Sequence, residues 1–114
     1  MDILVSTDWL AENMGASDLR IVDATYFLPE MGRDAAAEYE AKHIEGAVFL
    51  NLAELVDPGS SLPNTVPPPE KFASRMQALG LGDGSRIVLY DNSPLKTAAR
   101  AWWLFEVFGA PNIA

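Results

Sequence analysis

Two short apolar, β-branched runs that each stop at an aspartate constrain this chain most: Leu19-Arg20-Ile21-Val22-Asp23 and Arg86-Ile87-Val88-Leu89-Tyr90-Asp91. Runs of this kind form strands buried on both faces. Helical patterns lie between them, and strands that alternate with helices fold into a parallel α/β sheet. With 114 residues there is material for one core and not for two, so 1–114 is expected to be a single domain.

The spacing places the remaining elements. A short helix runs from Ser6 or Thr7 to Met14, with a hydroxyl N-cap and Gly15 as a left-handed stop, and Ile3 to Val5 reads as a short strand before it. Asp34 caps a second helix from Ala35 to Lys42, Gly46 releases an apolar run from Ala47 to Leu50, and Leu52 to Val56 forms a helical turn. Asp57 to Pro69 carries five of the eight prolines and is expected to be an extended loop. Pro69 and Glu70 open a third helix with Phe72, Met76 and Leu79 on one face and Gly80 at its end. The last helix, Thr97 to Phe108, stops at Gly109 and Pro111. Its adjacent Trp102 and Trp103 point about 100° apart, so one of them is expected to face away from the core.

Composition excludes several functions. Sixteen acidic side chains against eight basic ones give a net charge of -8, which repels nucleic acid and anionic membranes, while a local basic pocket still admits an anionic small molecule. No cysteine is present, so this chain makes no disulfide, thiolate metal site or thiol nucleophile. No apolar run approaches the roughly 20 residues of a membrane-spanning helix, and the N-terminus lacks the basic flank of a signal peptide. A cytoplasmic protein without metal or cofactor is the expectation.

Ligands of parallel sheets bind at the carboxyl ends of the strands, which here are Asp23 and Asp91. The loop Asn92-Ser93-Pro94-Leu95-Lys96 leads into a helix N-terminus, which favours an anion, and Lys96 and Arg100 add positive charge. The plainer alternative is that both aspartates accept loop amides, with Ser93 as N-cap and Pro94 as first helical residue. A phosphoryl-accepting Asp91 would need magnesium and a second carboxylate, and Asp91-Asn92-Ser93 offers none nearby in sequence. Gly80, Gly82 and Gly84 follow a helix and precede a strand, the reverse of a dinucleotide loop, so they read as a turn. His43, the single histidine, suits either proton transfer or a structural hydrogen bond beside Gly46.

Taken together, these residues form a familiar pattern. The run Tyr39-Glu40-Ala41-Lys42-His43-Ile44-Glu45-Gly46-Ala47-Val48-Phe49-Leu50 resembles the signature of the rhodanese sulfurtransferases, an aromatic followed by His-Ile-Pro-Gly-Ala and an apolar strand. Glu45 stands where that family usually has proline. Val22 to Pro29, Gly32-Arg33-Asp34, Val88 to Asp91 and Ala98 to Trp103 match as well, so the resemblance runs from about Val5 to the last residue. It implies the rhodanese fold, a parallel sheet flanked by helices, with the chain reaching only the start of the fifth strand at Asn112-Ile113-Ala114.

The resemblance further implies the N-terminal, non-catalytic domain of a two-domain thiosulfate or 3-mercaptopyruvate sulfurtransferase, which passes sulfane sulfur to a thiophilic acceptor such as cyanide or a thiol. In that family the catalytic cysteine follows the fourth strand of the second domain, and the corresponding position here is Asp91. The implied partners are that catalytic domain and a small anionic sulfur donor, with Arg33, Lys96 and Arg100 as candidate donor contacts. An Asp and a His of the N-terminal domain are held to relay to a serine of the catalytic domain, and Asp34 and His43 are the matching candidates. His43 is then expected to be partly buried, with Asp34 as a candidate partner. The fifth strand lies inside the family's sheet, so the chain is expected to be a piece of a longer protein or to be completed by strand pairing, including pairing with a second copy. A free-standing interaction or anion-binding module of the same fold is the rival reading.

Overall fold

The computed structural model describes residues 1–62, 65–82 and 84–114. β1 (Leu19–Asp23) forms the middle of a parallel sheet, between β2 (Val48–Phe49) and β3 (Arg86–Tyr90). The register sets Ile21 beside Val88 and Val22 beside Leu89. Because side chains alternate across a strand, one face of β1 and the other enter different cores. Val22 packs with Leu50, Phe72, Met76, Leu104 and Phe105, whereas Leu19 and Ile21 pack with Leu10, Ala47 and Val88.

Among the described residues, four α-helices accompany the sheet. α1 (Thr7–Asn13) is capped by Ser6, whose hydroxyl accepts the Trp9 N–H, and it supplies Leu10 to the second core. α2 (Ala35–Ala41) is capped by Asp34. α3 (Pro69–Ala78) and α4 (Thr97–Val107) meet over the first core, where Phe72 lies edge-on to Phe105 at 5.3 Å and stacks on Phe108 at 4.4 Å. Gly80 and Gly109 end these two helices at φ of +75° and +79°, conformations that an L side chain resists. Arg86, at the start of β3, holds the Asp18 carboxylate with two hydrogen bonds of 2.8 and 3.0 Å, which keeps that carboxyl below its ordinary pKa.

Several local expectations change. The helical turn expected from Leu52 to Val56 is a 3-10 turn of three residues, Leu52–Glu54. Of the loop expected from Asp57, Pro63 and Asn64 lie outside the described residues, and the rest of it up to Pro68 holds no helix or strand. α1 ends without a left-handed glycine: Met14 is right-handed and Gly15 has no positive φ, because the Ala16 N–H closes the turn on the Asn13 carbonyl instead.

Ile3 to Val5 forms no strand. Ile3 is 64% and Leu4 87% exposed, and no backbone neighbour accepts them. The side of β3 away from β1 is taken by the end of the chain, where Ile113 bridges Ile87 and the Leu89 N–H donates to the Ala114 carbonyl at 2.8 Å. On α4, Trp102 is half-buried while Trp103 is exposed beneath the Arg100 guanidinium at 4.9 Å, which is the outward-facing tryptophan that helical geometry requires.

Candidate functional site

The carboxyl ends of β1 and β3 are joined by hydroxyl groups. Asp23 is buried, and its Oδ1 accepts both the backbone N–H of Thr25 at 2.9 Å and the Thr25 hydroxyl at 2.6 Å. The Thr25 Oγ1 in turn accepts the Asn92 N–H at 3.0 Å. From the other side, the buried Thr97 hydroxyl donates to the Ala24 carbonyl at 2.8 Å and accepts the Tyr26 N–H at 3.0 Å. The Ser93 hydroxyl donates to the Tyr26 carbonyl at 2.8 Å and accepts the Leu95 N–H at 3.1 Å. Three hydroxyls thus lock the loop after β3 onto the loop after β1, satisfying backbone groups that neither a helix nor a strand serves.

Asp91 closes this loop. Its Oδ1 accepts the Ser93 N–H at 3.0 Å and its Oδ2 accepts the Ala98 N–H at 2.7 Å, so the carboxylate sits on the first turn of α4. An anion supplied by the chain itself therefore occupies the amides that a bound anion would use. Both aspartates thus accept backbone amides, Asp23 that of Thr25 and Asp91 those of Ser93 and Ala98. α4 begins at Thr97 as the sequence pattern has it, so the alternative with Ser93 as N-cap and Pro94 as first helical residue does not hold; Lys96, left-handed at φ +56°, stands at the cap position.

A cleft of about 530 Å³ opens beside this loop, lined in part by Asp23, Thr25, Tyr39, His43, Tyr90 and Asn92. α2 carries Tyr39 into it, and His43 follows one turn later. His43 is exposed rather than partly buried; its ring stacks on Tyr39 at 3.9 Å and 19°, and its Nδ1 lies 2.6 Å from the Tyr39 carbonyl oxygen. The Ile44 to Ala47 segment is a type II turn, closed by Ala47 N–H to Ile44 carbonyl at 2.9 Å with Gly46 at φ +81°. Glu45 occupies the second position of that turn, where proline is favoured because its φ is already set. Glu45→Pro is therefore expected to stabilise the fold by about 0.4–1 kcal/mol, read as a raised urea midpoint at constant slope.

Tyr90 spans the floor of the cleft, its hydroxyl accepting the Ile44 N–H at 3.2 Å. Burial pushes its phenol above the ordinary value of 10.0, the Asp23 carboxylate adds to this, and the Ile44 amide opposes it. The folded pKa is the higher one, so the stability linked to Tyr90 is complete below the unfolded value and is lost as the pH rises through the folded one. At neutral pH the cleft presents a neutral phenol.

Other candidate residues lie apart. Asp34 accepts the Ala37 N–H at 3.1 Å as the N-cap of α2, whereas His43 lies beyond the other end of that helix. The hydrogen bonds of the two residues run to other groups, Asp34 to the Ala37 amide and His43 to the Tyr39 carbonyl. Arg33 is engaged by Glu38 through bonds of 2.9 and 2.6 Å and lies over the Phe27 ring at 4.0 Å. Glu38 raises the Arg33 pKa, and Arg33 lowers that of Glu38. Lys96 lines a separate groove with Trp102 and Ala114, and Arg100 a third pocket with Tyr26 and Leu28. Lys96 and Arg100 thus line different pockets.

Sequence reasoning missed Thr25, Thr97 and Tyr90. Tyr90 ends β3 and Thr97 begins α4, whereas Thr25 lies two residues past the end of β1. Among the described residues, no three His, Asp or Glu side chains gather to hold a metal ion, and no helix is long and apolar enough to cross a membrane.

Comparison with known proteins extends these observations. The family model described as Rhodanese-like domain matches residues 6–114. A thiosulfate/3-mercaptopyruvate sulfurtransferase 1 of Arabidopsis thaliana, described as mitochondrial, is 41% identical over 110 residues, which is 96% of this chain and 29% of that protein. The 3-mercaptopyruvate sulfurtransferase of Escherichia coli strain K12 is 39% identical over 96% of this chain and 40% of its own length. The crystal structure of SseA from Escherichia coli superposes with a TM-score of 0.92 at 37% identity, over 100% of this chain and 44% of that one. The chain thus spans less than half the length of these relatives. With a matching model over nearly all its residues and the α/β sheet in the same arrangement, this chain belongs to the rhodanese-like domain family.

Proposed function

We propose that the chain is the N-terminal, non-catalytic rhodanese domain of a sulfurtransferase that moves sulfane sulfur from thiosulfate or 3-mercaptopyruvate to a thiophilic acceptor such as cyanide or a thiol. Asp91 carries this reading. It stands where the loop after β3 meets α4, and its carboxylate occupies the Ser93 and Ala98 amides that would otherwise face an anionic sulfur group. The chain has no cysteine, and a persulfide forms only on a thiolate. The sulfur-bearing thiol then belongs to a second rhodanese domain, for which the greater length of the relatives leaves room.

In this reading the cleft around Tyr39, His43 and Asn92 faces the catalytic domain, with His43 as the proton acceptor for a hydroxyl across the gap. Asp34 contributes at a distance, by capping the helix that carries Tyr39. With thiosulfate and cyanide, this chain alone is expected to release thiocyanate at the rate of an enzyme-free control, while its full-length parent turns over. Thiocyanate above the control from this chain alone would overturn the assignment.

The same reading has the row at 112–114 take a further strand on its open side, from the rest of the parent or from a second copy. A groove of about 320 Å³, lined in part by Ile3, Leu4, Leu89, Trp102 and Ala114, lies beside it. The sedimentation mass of the isolated chain is expected to rise with concentration. A monodisperse monomer with strongly protected amides from Ile87 to Leu89 would show that the edge needs no partner.

A further inference from the structure

We infer that Tyr39 is the positioning residue that sets the tautomer of His43, keeping the imidazole proton on Nδ1 and leaving Nε2 as the acceptor nitrogen. The first observation is chemical. A carbonyl oxygen only accepts, so the 2.6 Å approach of Nδ1 to the Tyr39 carbonyl requires the hydrogen to reside on Nδ1. The sequence prepares this contact. α2 ends at Ala41, and its last carbonyls have no donors within the helix. The Lys42 N–H takes the Glu38 carbonyl, and the next carbonyl, that of Tyr39, falls to the His43 ring.

The second observation is steric. The Tyr39 ring lies 3.9 Å from the imidazole at 19°, which fixes the plane of His43, and tilts against Phe49 at 5.5 Å. The Tyr39 hydroxyl donates to the Ala47 carbonyl, beyond the Gly46 turn, so the stacking surface is anchored at its far end. One residue therefore supplies the hydrogen-bond acceptor, the stacking face and the anchor. Orientation of an imidazole by a bond to its second nitrogen is the general means of choosing which nitrogen does the work. Nε2 becomes the acceptor here. The cleft is thus given a base for an incoming O–H or S–H rather than a donor.

This inference rests on the proposed use of His43 toward a catalytic domain, yet it can be tested without activity. With nitrogen-15 labelling under alkaline conditions, long-range proton–nitrogen correlation is expected to show a pyrrole-type Nδ1 and a pyridine-type Nε2. Tyr39→Phe keeps the ring and the carbonyl, so the tautomer should persist while the Hδ1 proton exchanges with water several-fold faster for want of the Ala47 anchor. Tyr39→Leu removes the stacking face and should move both nitrogens toward exchange-averaged shifts.

A protonated Nε2 in the native chain would overturn the inference. So would a folded Tyr39→Leu chain with the native nitrogen pattern, or an unchanged Hδ1 exchange rate in Tyr39→Phe. Should Tyr39→Leu fail to fold, the native and Tyr39→Phe spectra decide. In the full-length parent, a His43→Gln variant with unaltered turnover would reject the functional use of His43 while leaving the tautomer assignment standing.

Discussion

Thr97→Val is expected to destabilise this domain by about 2–4 kcal/mol, because valine reproduces the shape of threonine and removes only its hydroxyl. That hydroxyl donates to the Ala24 carbonyl and accepts the Tyr26 N–H in a site where Thr97 is 7% exposed. Two backbone groups of the loop after β1 would be left buried without partners, at roughly 1–3 kcal/mol each. Urea denaturation should show a lower midpoint at constant slope, and melting should fall by roughly 10 °C or more. Thr97→Ser keeps both bonds and loses one methyl, so its cost should be near 1 kcal/mol. A valine variant within about 0.5 kcal/mol of the native chain would mean that Thr97 does not stitch the two loops together.

Removal of the Asp91 carboxylate is the second large effect. Asp91→Ala leaves the Ser93 and Ala98 N–H groups without their acceptor and takes a negative charge from the first turn of α4, for an expected loss of about 1–2 kcal/mol. Asp91→Asn retains one acceptor oxygen and should lose about half as much. Vacated amides at a helix N-terminus attract oxyanions, whereas an ionised Asp91 repels them. Sulfate is therefore expected to stabilise Asp91→Ala and Asp91→Asn more than the native chain, as read from melting against sulfate concentration. Equal sulfate responses in all three would show that the carboxylate does not guard the loop.

Much of the fold was legible because its determinants are local. β1 and β3 are written in β-branched apolar runs, α1 and α2 in the caps Ser6 and Asp34, and the turn before β2 in Gly46. The departures occurred where a local pattern lacked a tertiary partner. Ile3 to Val5 has strand composition, but a strand exists only when a neighbour takes its backbone groups, and there it finds none. Ser93 before Pro94 has the composition of a helix start, but the Ser93 hydroxyl is drawn to the Tyr26 carbonyl and α4 starts three residues after Pro94.

The candidate site divides along the same line. Sequence alone determined that no thiol is available, that two strands end in aspartates, and that a lone histidine stands before a glycine turn, because these are matters of composition and order. Only the tertiary structure decided that Asp91 turns back onto α4, that Asp34 is engaged in capping α2 while His43 stacks on Tyr39, and that Lys96 and Arg100 line different pockets. The physical reason is distance along the chain. Thr25 meets Asn92 across 67 residues and Thr97 meets Ala24 across 73, and no periodicity or propensity reports a hydrogen bond whose partner is set by the register of β1 against β3.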